Sequence, residues 1–362
     1  MENTTASYTS VESKITKIQC YHLEEPWSHS REAIITNVIL IVVNLLTSLT
    51  ATVGNILVIM AVKRTRSLRT PSNALLCCLA LSDLLVGAVV QPIYALQMIF
   101  EIQRNSDGFC FAKITTTGSL AWVCAGVSFL VISAISVERF LAIKLHLRYK
   151  AMVTIPRVLT VVMFFWVLCT ALITARLLGA PYNRLVLTIF VMDVTSIAIS
   201  IFAYSSIYHQ VRNLHNKTRD QRHLAPAGIN IRSFKRSAVT MFYVIVLFLA
   251  CYIPFITTLV VQLLEGDSLW LNIIYKITAS IVYINSSLNP FVYCFRSKEV
   301  RMAIFKLLGR KYTLDKNGDV VPVSKSGTQN LKTNAVKNLT TFPSGYLQTS
   351  LHQLRYLPET QI

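Results

Sequence analysis

An all-α membrane protein is what this sequence predicts: a seven-transmembrane-helix bundle followed by an amphipathic helix on the membrane surface. Three observations carry that reading. Hydrophobic residues make up 53% of the 362 residues and charged ones 14%, against the roughly 25% charged content of soluble domains. Long apolar stretches recur at Ile34 to Val62, Ala74 to Phe100, Phe109 to Ile143, Val158 to Leu178, Leu185 to Val211, Ser237 to Leu264 and Leu269 to Phe295. Each exceeds the roughly 20 residues that a helix needs to cross about 30 Å of hydrocarbon. Basic residues cluster beside alternate stretches, as multi-pass topology requires. Because lipid offers no partner to backbone N–H and C=O groups, such stretches must be helices packed together.

The formal net charge of +18 raises nucleic acid as a partner, and the placement of the charge argues against it. Lys63, Arg64, Arg66 and Arg69 follow the first stretch, and Arg139, Lys144, Arg148, Lys150 and Arg157 follow the third. Arg212, Lys217, Arg219, Arg222, Arg232, Lys235 and Arg236 lie between the fifth and sixth, whereas the alternate links are poor in Lys and Arg. The positive-inside rule then sets the N-terminus outside and the C-terminus in the cytoplasm of a multi-pass plasma-membrane protein. Anionic membrane lipid and a cytoplasmic protein are the expected readers of this charge.

Residues 1–33 are expected to form an extracellular tail, 34–295 the membrane domain, 296–309 the amphipathic surface helix and 310–362 a disordered cytoplasmic tail. The first tail lacks the pattern of a cleavable signal, so the first span is expected to direct insertion. Asn3-Thr4-Thr5 is a usable glycosylation sequon on the outer side; the triplets at Asn216, Asn285 and Asn338 fall inside or within the bilayer and are discounted. Cys77, Cys78, Cys124, Cys169, Cys251 and Cys294 lie within spans and are expected to pack as small apolar residues. Only Cys20 and Cys110 fall outside, in an oxidising compartment, and a bridge between them is expected. After Tyr293, apolar Val300, Ile304, Leu307 and Leu308 alternate with Lys298, Arg301 and Lys306, the spacing of a basic helix lying on the inner membrane surface.

Polar residues within spans are costly and need a role. Asn55, Asp83, Ser128, Asn285, Ser286 and Asn289 fall at mid-bundle depth when the spans are aligned by their ends. They form either a satisfied polar knot that joins helices or an oxygen-lined site for a cation. Pro254 and Pro290 lack an N–H and must kink the sixth and seventh helices.

In order along the chain come Gly54-Asn55, Leu68-Arg69-Thr70-Pro71-Ser72-Asn73, Leu79-Ala80-Leu81-Ser82-Asp83-Leu84, Glu138-Arg139-Phe140, Trp166, Cys251-Tyr252-Ile253-Pro254 and Asn289-Pro290-Phe291-Val292-Tyr293. In sequence and spacing these resemble the rhodopsin-like (class A) G-protein-coupled receptors, over roughly Ile34 to Leu308. The resemblance implies a receptor that converts binding of an extracellular ligand into activation of a heterotrimeric G protein. It further implies a sodium pocket formed by Asp83, Ser128, Asn285 and Asn289, which favours the inactive state and is the one cofactor expected.

Glu138 beside Arg139 can hold the guanidinium until another partner takes it, and Tyr204 and Tyr293 stand where the family's activated Arg finds them. The acid that often holds this Arg from the sixth helix is missing, since Phe234, Lys235 and Arg236 occupy its place, so basal signalling is expected. Leu147 matches the apolar residue that the family inserts into the G protein, although His146 stands where proline is usual. Tyr252 replaces the usual Trp one turn before Pro254, with Phe129 and Phe248 expected beneath it. Receptor kinases and arrestin are expected to read the Ser- and Thr-rich tail.

The ligand is the least legible part. Ala121, with Trp122 after it, occupies the position about five turns before Arg139 where an aminergic receptor needs a carboxylate. Tyr283 stands in place of a retinal-binding Lys. The short link between the fourth and fifth spans and Ser196 in place of a helix-five proline resemble the branch of melanocortin, cannabinoid, lysophospholipid and adenosine receptors. The expected ligand is therefore non-aminergic: a peptide, lipid or nucleoside-like molecule. Asp193 and Arg176 are candidate charged contacts, and Gln91, Tyr94, Tyr252, Phe255, Tyr275 and Tyr283, with Ala121 and Trp122, are candidate pocket residues. An enzyme would need a His-Glu-x-x-His segment or paired intramembrane Asp residues, and neither is present; a transporter would need repeated halves, which are not visible, or a charged path, for which the one set around Asp83 is meagre support.

Overall fold

The computed structural model describes residues 16–20, 23–27, 30–145, 148–220, 231–309, 312–314 and 320–322. Asn3, Leu147 and the hydroxyl-rich tail segment beyond residue 322 lie outside the described residues, as do the side chains of Phe234, Lys235 and Arg236.

Eight helices of ten residues or more follow one another among the described residues. They are α1 (Arg31–Arg64), α2 (Pro71–Ile102), α3 (Ser106–Leu145), α4 (Ile155–Leu177), α5 (Tyr182–Asp220), α6 (Ile231–Glu265), α7 (Leu269–Arg296) and α8 (Lys298–Leu307). Their starts are written into the sequence. Ser30, Thr70, Asn105 and Ser268 each accept a backbone N–H from the first turn of α1, α2, α3 and α7, satisfying donors that a helix start leaves open. Pro71 adds a first-turn residue with φ already set.

Six of these helices are long and apolar enough to cross a membrane by length and composition. The seventh, α7, is not among them, because Asn272, Lys276, Thr278, Ser280, Asn285, Ser286, Ser287 and Asn289 are all buried along it. Those side chains face neighbouring helices and need no lipid.

Two interruptions shape the bundle. A π-turn at Val86–Val90 precedes Pro92 in α2, where the missing N–H unsettles the ladder. A second π-turn at Thr116–Leu120 in α3 has no proline; there Ser119 donates to the carbonyls of Ile114 and Thr115, and Thr116 to that of Ala112. Hydroxyls thus re-satisfy backbone groups that the wider turn exposes.

Close approach between helices depends on glycines, of which two bear on the site. A Cβ on Gly54 would stand 2.9 Å from the Pro290 ring, so its absence lets α1 reach α7 beside the kink. A Cβ on Gly126 would meet Cys169 Sγ at 2.9 Å, so α3 and α4 touch there.

The bundle is helical as expected, and two short hairpins lie outside its helices. Strands β1 (Thr16–Cys20) and β2 (Leu23–Trp27) pair antiparallel ahead of α1. Cys20 at the end of β1 is bonded to Cys110 on α3, with Cα atoms 5.1 Å apart. Phe109 is buried with Cys20, and Phe100 and Ile114 pack against them. The chain divides into two units, 1–304 and 305–362. In the second, β3 (Tyr312–Leu314) pairs antiparallel with β4 (Val320–Pro322), where the sequence led us to expect a disordered tail from residue 310. Each strand supplies three residues, too short a run for apolar periodicity to reveal. The amphipathic helix begins at Lys298 rather than 296, because Ser297 is extended (φ −99°, ψ 105°) and ends α7; Val300, Ala303 and Ile304 form its buried face.

The strongest side-chain tie was not foreseen. Lys276 Nζ on α7 meets both Glu101 carboxylate oxygens on α2, at 2.8 and 2.7 Å, and Asn37 Oδ1 on α1 at 3.2 Å. Asn37 Nδ2 in turn donates to Glu101, and Glu101 is 1% exposed. Removing one partner strands a buried charge, whereas removing both does not. Glu101→Gln is expected to lower unfolding stability of the purified protein by about 3 kcal/mol. The paired Glu101→Met/Lys276→Met variant is expected to recover most of that loss in the same thermal unfolding measurement.

Candidate functional site

Three sites stack along the bundle, from the end that carries β1 and β2 to the opposite end: a cavity, a polar core and a charged cluster.

The cavity has a volume of about 610 Å³ and is walled by α3, α5, α6 and α7. Of the residues singled out from sequence, Ala121, Trp122, Asp193, Tyr252, Phe255, Tyr275 and Tyr283 line it. Gln91, Tyr94 and Arg176 do not. Gln91 instead donates to Thr47 on α1, and Tyr94 donates to the Lys276 carbonyl and stands edge-on to the Tyr283 ring. Sequence placed both in an outer helical half, but could not say that the face they occupy is the one turned toward α1 and α7. Gly126, Phe129, Leu187, Phe190, Val260 and Leu263 complete much of the wall; only their position on helices already in the pocket could have signalled them.

The cavity floor is an aromatic stack. Phe248 and Tyr252 lie face to face at 4.1 Å, and Phe129 meets them edge-on at 4.5 and 4.7 Å. Tyr252 therefore occupies the cavity end of the packing that Pro254 kinks. Trp122, Phe255 and Tyr275 continue the rings upward at centroid spacings of 6.0 and 5.6 Å, within the range of favourable aromatic pairs.

The polar core joins α1, α2, α3 and α7. Asn289 Nδ2 donates to Asp83 Oδ2 at 2.7 Å, and Asp83 is 2% exposed. Asn55 donates to the carbonyls of Ala51 and Ser286, and the Ser82 and Ser128 hydroxyls share a hydrogen bond at 3.0 Å. Of the expected set, Asp83 and Asn289 are bonded directly, while Ser128 is bonded to Ser82, the neighbour of Asp83 in sequence. The side-chain carbonyl oxygens of Asn55, Asn285 and Asn289 are buried with no hydrogen-bond partner among the described residues. Hard cations prefer such oxygens beside a carboxylate, so the donors present fit a sodium ion; Asp83, Ser128, Asn285 and Asn289 would hold it, supplying charge neutralisation to the core.

At the opposite end, Glu138 is buried and its carboxylate lies 3.0 Å from Arg139 Nε, a charge contact without hydrogen-bond alignment. The Tyr149 hydroxyl donates to the other Glu138 oxygen. Burial first, and that hydrogen bond second, hold the Tyr149 phenol well above its usual pKa, so it remains a donor at neutral pH. Tyr149 was missed from sequence because it belongs to a single helical turn, Tyr149–Met152, on the link between α3 and α4. Phe140 packs toward Phe202 on α5, with Lys144 over its ring at 5.5 Å. Tyr204 on α5 is within electrostatic reach of Arg139. Tyr293 on α7 is buried, and its hydroxyl has no hydrogen-bond partner among the described residues.

The family described as 7 transmembrane receptor (rhodopsin family) matches residues 54–185 and 180–293. The match takes in the last third of α1 with Asn55, all of α2 and α3 with the Glu138-Arg139 pair, and α7 as far as the run Asn289 to Tyr293. A buried carboxylate tied to that run, an acid-held arginine at the end of α3 and a cavity at the other end now have one explanation: the chain belongs to the rhodopsin family of seven-transmembrane, G-protein-coupled receptors.

Proposed function

We propose that this receptor binds an extracellular ligand in the 610 Å³ cavity and, through α6 and α7, activates a heterotrimeric G protein at the end marked by Arg139. The observation that carries the reading is the Arg139 cluster itself. Arg139 Nε lies against one Glu138 oxygen, Tyr149 donates to the other oxygen of the same carboxylate, and Tyr204 lies within electrostatic reach. Because the other Glu138 oxygen already accepts from Tyr149, the guanidinium has one oxygen rather than a bidentate seat, which leaves the pair open to exchange.

In this reading the end bearing β1 and β2 is extracellular, as the oxidised Cys20–Cys110 pair favours, and the basic end is cytoplasmic in the plasma membrane. Asp83 and the asparagine oxygens hold sodium in the resting state; Tyr293, with an unsatisfied hydroxyl, is the partner that Arg139 gains on activation; and the kink at Pro254 is the hinge of α6. Leu147 and the basic loops contact the G protein and anionic lipid, receptor kinases and arrestin read the tail, and no catalytic reaction is assigned. Of the non-aminergic classes, peptide, lipid or nucleoside-like, the apolar cavity wall favours a lipid-like ligand.

The test is nucleotide exchange on a panel of purified G proteins by the receptor in lipid nanodiscs. The wild type is expected to accelerate exchange without ligand on at least one of them, and Arg139→Ala to abolish the acceleration; equal rates with and without wild-type receptor on every G protein would overturn the reading. Asp83→Asn is expected to leave exchange insensitive to replacing potassium by sodium, whereas the wild type slows in sodium.

A further inference from the structure

The cavity wall is chemically lopsided. Among its lining residues stands one carboxylate, Asp193 on α5, and no Lys, Arg or His. Asp193 Oδ1 is buried with no hydrogen-bond partner among the described residues. A carboxylate oxygen left without donors in an apolar site is unfavourable, and a ligand that brings a donor removes the penalty. An anionic headgroup, a phosphate or a fatty carboxylate, would meet no cation on this wall and would face Asp193.

The wall is also open on one side. Leu187 and Phe190 on α5 and Val260 and Leu263 on α6 line the cavity, yet are 61%, 45%, 41% and 47% exposed. These residues lie on the cavity-bearing halves of α5 and α6, and side chains that line the cavity yet stay this exposed leave the wall between the two helices unclosed.

Together, the lone acid and the lateral gap lead us to infer that the ligand is a membrane-borne cationic amphiphile: an apolar chain bearing a single N–H cation, which enters between α5 and α6 and places its nitrogen on Asp193. The aromatic faces of Trp122, Phe255 and Tyr252 suit the same charge. The missing acid at Ala121 excludes one seat for a cation, on α3, and Asp193 supplies another on α5.

This inference rests on the cavity being the receptor's ligand site, and the experiment reads binding apart from coupling. Full-length receptor in phosphatidylcholine nanodiscs is titrated with octadecylamine, octadecanol and octadecanoic acid, which share a chain and differ in headgroup, and the thermal unfolding midpoint is followed. Octadecylamine is expected to raise the midpoint saturably while the alcohol and the acid do not, and Asp193→Asn to weaken the apparent amine affinity about 10- to 100-fold, as loss of a charge-assisted hydrogen bond requires. Equal effects of the three headgroups, stabilisation by the acid, or unchanged amine affinity in Asp193→Asn would each overturn it; because the headgroup series is read on the wild type, an unstable Asp193→Asn variant does not rescue the idea. Loss of G-protein exchange with amine binding intact would instead count against the functional reading alone.

Discussion

Between Lys276 and Asn289, α7 carries more buried polar side chains than a lipid-facing helix could tolerate, and each one that has a partner finds it on α1 or α2 or on its own backbone. Lys276 reaches Glu101 and Asn37, Ser280 receives Asn44, the Ser286 carbonyl receives Asn55, and Asn289 binds Asp83. In a bilayer an unpaired polar group costs several kcal/mol. This seam therefore fixes the depth and rotation of α7, and with them the positions of Tyr275 and Tyr283 in the cavity and of Tyr293 near the opposite end.

The seam also explains why the three sites can communicate. Cavity, polar core and charged cluster share α3 and α7, and in the core the side-chain oxygens of Asn55, Asn285 and Asn289 are buried without donors among the described residues. Atoms in that condition can be satisfied in more than one way, by a cation or by a shifted neighbour. A helix pinned at Lys276 and under-satisfied at Asn285 and Asn289 is firm near the cavity and convertible near the switch.

Much of the bundle could be read from the sequence because membrane spans obey a blunt rule of length and polarity. Span positions, the packing of Phe129 and Phe248 with Tyr252, and the pairing of Asp83 with Asn289 all followed from local pattern or family spacing. What escaped were facts about facing. Glu101 and Lys276 lie 175 residues apart, and nothing in either neighbourhood announces the other. Gln91 and Tyr94 were sound pocket candidates by depth, but the face they share with α1 and α7 depends on helix rotation after the π-turn at Val86–Val90. Tyr149 sits in a single turn without periodicity, and the hairpins β1–β2 and β3–β4 are too short for alternation to show. Asp193 was legible as a costly charge, whereas its isolation in an apolar wall emerged only from the assembled cavity.

The central claim is that the polar core and the arginine cluster form one switch, and a double-mutant cycle in constitutive nucleotide exchange addresses it most directly. Asn289→Ala, Glu138→Gln and the combined variant are compared with wild type in the same nanodiscs. Coupled sites are expected to give an interaction larger than about 0.5 kcal/mol in the exchange rate. Additive effects within that limit would mean that the two sites act independently, and would contradict the account.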